Sequence, residues 1–191
     1  MSEKRNLEET CIKSELIFDG RVMHLYVDQI ELPNGKRSTR EYAHHIGAVG
    51  VLPLTKEGEV ICVRQYRYAH RMEMLEIPAG KLDAPDEVPL EAALRELREE
   101  TGAVGARMTD LGVYRSTPAI LDERIYLYLA EDFTLGETDL DEDEFLVTER
   151  IPLSTLVDMV MRGEIHDGKT QVAVLKVWEL LRRREQEAKG D

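Results

Sequence analysis

Gly80-Lys81-Leu82-Asp83-Ala84-Pro85-Asp86-Glu87, continued after seven residues by Arg95-Glu96-Leu97-Arg98-Glu99-Glu100-Thr101-Gly102, is the stretch on which the fold turns. From the gap between its halves into the second, Leu90, Ala93, Leu94 and Leu97 recur at helical spacing, and Gly102 is the residue type that ends a helix in a left-handed backbone. The pattern predicts a helix from Pro89 to Thr101. On it Glu96, Glu99 and Glu100 stand at i, i+3 and i+4, with Cβ atoms about 5–6 Å apart. Like charges at that spacing repel. Either water solvates the face, as for most acidic helix faces, or a cation offsets the repulsion, and hard divalent ions such as Mg²⁺ take oxygen ligands of this kind.

Upstream of the helix the chain reads as strands. Ile12 to Phe18 is followed by Asp19-Gly20, by Val22 to Leu32, by the two-residue hairpin signal Asn34-Gly35, and by Arg37 to His45 as the returning strand. Gly47 to Leu54 and Val60 to Tyr68, separated by Lys56-Glu57-Gly58, predict a buried strand pair. Downstream, Leu111 to Tyr114 and Ile125 to Ala130 have strand character, and an acidic loop from Glu137 to Glu144 precedes Phe145 to Val147. A second helix is expected with Ser154 as its cap and its end at Gly163; a third runs from about Thr170 with Val174, Trp178 and Leu181 on one face. Helices on a mixed sheet make an α/β or α+β sandwich.

With 191 residues and 42% hydrophobic content, the chain can bury one substantial core. Its 25 basic residues are outnumbered by 38 acidic ones, for a net charge of -13, which argues against holding a polyanion by charge alone. Nucleic acid is therefore not expected as a partner. An anionic small molecule would need a divalent cation between itself and so acidic a protein. Cys11 and Cys62 lie in no zinc-binding spacing and fit a reduced, cytoplasmic compartment. Ser2 to Thr10 is polar, and the longest apolar run, Ala48 to Leu54, falls far short of the roughly 20 residues of a membrane helix. Neither export nor membrane attachment is expected.

The segment from Gly80 to Gly102 resembles the signature of the Nudix hydrolases, Gly-x5-Glu-x7-Arg-Glu-aliphatic-x-Glu-Glu-x-Gly-aliphatic. Six residues rather than five separate Gly80 from Glu87, which places one extra residue within Asp83 to Asp86. Ala103 fills the last aliphatic position, with Val104 next to it as a further packing residue. The resemblance implies a loop, helix and loop on an α/β/α sandwich around a mixed sheet. It makes Glu96 and Glu100 the first metal-ligand candidates, Glu99 the next, and the carbonyl of Ala79 a backbone ligand. Arg95 would orient a glutamate. The implied cofactor is Mg²⁺, with Mn²⁺ as the alternative.

Beyond the signature, the chain resembles the ADP-ribose pyrophosphatase branch of that family. Leu75-Glu76-Ile77-Pro78-Ala79-Gly80 is similar to that branch's entry into the motif, with Glu76 near metal or substrate. Gln65-Tyr66-Arg67 makes Arg67 a candidate for the phosphates or the terminal ribose, against the plain alternative of a surface charge. Pro118 stands where the branch carries a proline, although Ser116 to Glu123 lacks the glycine often found just after it. The loop Asp139 to Glu144 resembles the one that delivers the catalytic base, Glu142 first and Glu144 second. Residues 1–45 resemble an antiparallel β extension through which such enzymes form homodimers, leaving 46–191 as the hydrolase domain. Tyr26 would there be either a stacking platform for a base or ordinary strand packing. The implied reaction is metal-dependent cleavage of a nucleoside diphosphate sugar, ADP-ribose giving AMP and ribose 5-phosphate. GDP-mannose, NADH and dinucleoside polyphosphates are the alternative substrates. A non-catalytic ADP-ribose sensor would be expected to lack motif glutamates, and all three are present.

Overall fold

Alternation and turn chemistry shape the N-terminal strands. β1 (Thr10–Asp19), β2 (His24–Glu31) and β3 (Arg37–His44) form a three-stranded antiparallel sheet in that order. Asn34-Gly35 turns β2 into β3: Gly35 takes φ +78°, and Asn34 Oδ1 accepts the Lys36 amide at 3.0 Å. Tyr26 and Tyr42 face each other across these strands and stack at 5.4 Å, so the Tyr26 ring is engaged in strand packing. The computed structural model describes residues 6–140 and 145–190. They divide into two units, residues 6–46 with 117–123, and residues 47–116 with 124–140 and 145–190. In the first unit, Thr117–Glu123 adds to β3 through hydrogen bonds from Ala43 N to Ile120 O and from Asp122 N to Ala43 O.

The second unit is built on the apolar run read above. β4 (Ala48–Pro53) is buried along its whole length. It is followed by β5 (Glu59–Arg67), β6 (Met72–Glu76), β7 (Ala79–Lys81), α1 (Pro89–Thr101), β8 (Ala103–Val104), β9 (Arg107–Tyr114), β10 (Ile125–Glu131), β11 (Thr134–Leu135), β12 (Leu146–Pro152), α2 (Leu153–Met161) and α3 (Gly168–Gly190). One sheet has the order β7-β4-β10-β9, with β4 parallel to β10 and the other pairs antiparallel. A second has the order β12-β5-β6, and β8 pairs with β11. Because strand side chains alternate, Ala48 and Leu52 join the core that includes Leu156, Val174 and Val177, while Val49 and Val51 face the other way. Helices α1 and α3 both pack on β4. A strand covered on both faces reads as continuous apolar sequence, and the expected mixed α/β architecture is what the chain adopts.

Several elements differ from the expectations. β6 and β7 were not anticipated, and β12 extends to Pro152 as an edge strand whose residues are half-exposed or exposed. Ser154 does not cap α2: Pro152 holds the cap position and no side chain bonds there. Helix α3 begins earlier than Thr170, with Asp167 accepting the Thr170 amide at 2.9 Å in the manner of an N-cap. Its buried face carries Thr170, Ala173, Val174 and Val177, whereas Trp178 is 43% exposed. Ala103 is buried and Val104 points outward, so the small residue does the packing after Gly102. Among the described residues, no helix is long and apolar enough to cross a membrane.

Gly102 ends α1 at φ +72°, and a Cβ there would lie 2.3 Å from the carbonyl oxygen of Gly136. Backbone strain and a backbone clash coincide, neither relieved by rotating a side chain. Gly102→Ala is expected to destabilise the fold by at least about 2 kcal/mol, read as a lower urea midpoint.

Candidate metal and diphosphate site

Strand β6 ends at Glu76 and β7 begins at Ala79, and Pro78 between them has no amide to donate. The amides on either side must find partners when buried. Ile77 N donates to Thr170 Oγ1 at 2.9 Å, and Ala79 N donates to Glu100 Oε2 at 3.0 Å. Side chains of two helices thus fix the break that leads into Gly80, and one of them belongs to the acidic face of α1.

Gly80 brings that face against the backbone. A Cβ on Gly80 would fall 2.0 Å from Cδ and Oε1 of Glu96, so only glycine leaves room for this carboxylate. Glu96 and Glu100 are buried and Glu99 is half-buried. Their repulsion is met by Arg95, whose Nη1 donates to Glu96 at 2.7 Å and to Glu99 at 3.3 Å. The same guanidinium lies 3.3 Å from Asp83 and 3.4 Å from Glu87. Burial lowers the Arg95 pKa, but the hydrogen bond to Glu96 and the surrounding acids outweigh it and hold the value above the ordinary range. Glu87 accepts the Asp83 amide at 2.6 Å, and its own amide donates to Ala84 O at 3.1 Å, so the loop with the extra residue closes on itself.

Glu96, Glu99 and Glu100 come together with Gly80, Ala79 and Arg95. Their carboxylates do not converge: among the described residues no three acidic, histidine or cysteine side chains are arranged around a common point for a metal. The reason is visible in the bonds, since Arg95 draws Glu96 and Glu99 while Ala79 N holds Glu100. Asp139, at the start of the acidic loop, is tied to the end of α1 through its amide to Glu99 O at 2.9 Å and its carboxylate to Arg98 at 3.3 Å. Glu142 and Glu144 lie outside the described residues. Pro118 is exposed and folds with the N-terminal unit.

Arg67 and Glu76 form a second cluster. Nε and Nη2 of Arg67 each donate to a Glu76 carboxylate oxygen at 2.7 Å. Glu76 is 1% exposed and also takes the ammonium of Lys169, itself buried. Lys169 lies 3.1 Å from Asp167, which accepts the Thr170 hydroxyl at 2.5 Å. Lys169, Asp167 and Thr170 were not singled out from sequence. The one available signal was an Asp three residues before Thr170, the mark of a helix cap; nothing local marks a buried lysine.

Burial pushes the Glu76 carboxyl up, but Arg67 and Lys169 reverse this and hold it below its ordinary value. A depressed carboxylate pKa stabilises the fold above the unfolded-state value of about 4.3 and loses that contribution as pH falls through the folded-state value. Glu76→Gln is therefore expected to lower the urea midpoint at pH 7 and to flatten its decline on acidification; parallel acid limbs for both proteins would contradict this.

Comparison with known proteins supplies the context for these clusters. Residues 44–172 match the NUDIX domain, and residues 9–43 match the nucleoside diphosphate sugar hydrolase N-terminal domain. The chain is 42% identical over 172 residues to an ADP-ribose pyrophosphatase of Bacillus subtilis, covering 89% of this chain and 92% of that one. It is 43% identical over 169 residues to the methanol dehydrogenase activator of Bacillus methanolicus, covering 87% and 91%. An ADP-ribose pyrophosphatase of Mycobacterium tuberculosis is 33% identical over 87% of this chain and 81% of that one. The crystal structure of an ADP compounds hydrolase shares the fold with a TM-score of 0.82 at 24% identity, covering 96% of this chain and 98% of that chain.

Proposed function

Since the chain belongs to the NUDIX domain family, we propose that it hydrolyses the pyrophosphate bond of ADP-ribose to AMP and ribose 5-phosphate, as a cytoplasmic homodimer using Mg²⁺ or Mn²⁺. The observation that carries the substrate is the 42% identity to an ADP-ribose pyrophosphatase, spread over 89% of this chain. The residues fit a divalent ion: oxygen donors only, crowded on one helix turn, with Gly80 leaving room for the Glu96 carboxylate. Glu96 and Glu100 would hold it, with Glu99 and the Ala79 carbonyl completing the set. Bound there, divalent ions withdraw charge from the diphosphate and acidify the attacking water.

The remaining roles belong to the chain. Arg67, anchored on Glu76, takes a phosphate or the terminal ribose; Arg95 orients Glu96; and Glu142, with Glu144 as the alternative, removes the proton from water. Support for the dimer comes from β1, which is exposed along its length and carries Ile12, Leu16, Ile17 and Phe18 on the surface. Sedimentation equilibrium should give twice the chain mass.

The test of the substrate is a panel of nucleoside diphosphate compounds with Mg²⁺ and products identified by mass. ADP-ribose should yield AMP and ribose 5-phosphate faster than GDP-mannose, NADH or a dinucleoside polyphosphate is cut. The relative named as a methanol dehydrogenase activator favours a second reading, in which the same hydrolytic site serves a partner dehydrogenase; faster turnover by an added methanol dehydrogenase in the presence of this chain would support it. Glu142→Gln is expected to lower turnover at least about a hundredfold with Mn²⁺ affinity kept. The same behaviour in Glu144→Gln instead would move the base by two residues.

A further inference from the structure

The second cluster has more charge than an arginine-binding carboxylate requires. Glu76 is fully buried and bonded by two nitrogens of Arg67, a bidentate pair that is already matched in charge. Yet a lysine from α3, 93 residues further along the chain, also donates to Glu76 Oε2. A buried ammonium is costly unless paired, and this one is shared between Glu76 and Asp167. The result is a neutral quartet of Arg67, Glu76, Lys169 and Asp167. Among the described residues, Nη1 of Arg67 carries no hydrogen bond, and the side chain is 39% exposed. Asp167 and Glu100 lie close enough for their charges to act on Arg67.

We propose that Lys169 is a positioning residue that supplies the second cation for Glu76 and Asp167, leaving Arg67 able to offer its remaining donors to a substrate phosphate. Without the ammonium, Arg67 is the sole cation for both carboxylates and is drawn onto them, so its hold on an external anion weakens. The chemistry at the scissile bond does not involve Lys169. Its loss therefore raises KM and spares kcat. A lysine that merely docks α3 would, when removed, lower the folded fraction and the melting temperature without moving KM.

The inference rests on Arg67 meeting the diphosphate, and its test reads that contact apart from the substrate assignment. Lys169→Met, Lys169→Gln, Lys169→Arg, Arg67→Met and the Lys169→Met/Arg67→Met double variant are compared in turnover of ADP-ribose and in calorimetric titration with pyrophosphate and Mg²⁺, which needs no cleavage. Lys169→Met is expected to weaken pyrophosphate binding and raise KM about tenfold, with kcat changed less than about threefold. Lys169→Arg restores both, and the double variant is no worse than Arg67→Met alone, as for residues acting in one unit. Where Lys169→Met does not fold, Lys169→Gln keeps a hydrogen-bonding group without the charge and is held to the same expectation. Unchanged pyrophosphate binding in a folded Lys169 variant, or additive losses in the double variant, would overturn the proposal. Intact pyrophosphate effects with no ADP-ribose cleavage by the wild-type chain would sustain it and refute only the substrate.

Discussion

Glu100→Gln should reduce Mg²⁺-dependent turnover at least a hundredfold while leaving the fold intact. The substitution keeps shape and removes charge. Glu100 is 1% exposed and accepts the Ala79 amide, a bond that the glutamine carbonyl can also accept, so the entry into Gly80 keeps its partner. What disappears is one of three like charges within a single helix turn. The apo protein should melt at the same temperature or slightly higher, because like charges at i, i+4 destabilise a helix by a few tenths of a kcal/mol. The rise in melting temperature on adding Mg²⁺ should shrink or vanish, since a ligand stabilises only the state that binds it. Outer-sphere partners of a metal alone cost about 10–100-fold when removed, so a direct ligand must cost at least as much. Turnover within about tenfold of wild type would remove Glu100 from the metal site.

The second large effect is expected at Gly80. Its φ is not in the left-handed region, so alanine suits the backbone; the obstacle is the Glu96 carboxylate, 2.0 Å from the added Cβ. That carboxylate terminates a flexible side chain. It can move aside, and in doing so gives up its place and its 2.7 Å bond to Arg95. Gly80→Ala should therefore lose about a hundredfold in turnover, as a displacement of about 1 Å can cause, with little change in melting temperature. Gly102→Ala makes the opposite pairing: there the clash is with backbone, and stability is lost first. Equal stability losses in the two variants would mean that Glu96 is wedged more rigidly than its bonds suggest.

The parts of this molecule that were legible in sequence are those set by local rules. Helix α1 spans the predicted residues because its apolar period, its first-turn Pro89 and its terminal Gly102 all operate within a few residues. Asn34-Gly35 likewise fixes a turn by its own backbone preference. The turn into β6 left no such mark: Arg71 takes φ +57° without being glycine or asparagine, with its guanidinium 3.6 Å over the Tyr68 ring. Three-residue β7 is too short to show a period, and it exists because β4 offers it a partner. On α3 the expected Val174 and Leu181 do pack on the core and Trp178 does not, while Thr170 and Lys169 look solvent-facing until Ile77 and Glu76, far upstream, are seen to use them. Arg67 and Glu76 could be named as site candidates from the motifs that resemble the family's, while the lysine that joins them, 93 residues beyond Glu76, could not.

The central claim is that the glutamates of α1, held by Arg95 and by the Ala79 amide, take up divalent cations. Electron paramagnetic resonance of Mn²⁺, titrated into the wild-type chain and into the Glu96→Gln/Glu100→Gln double variant with AMP present, tests it most directly. Bound Mn²⁺ in the wild type and its loss in the folded double variant is the predicted result. Equal binding by both proteins would contradict the account.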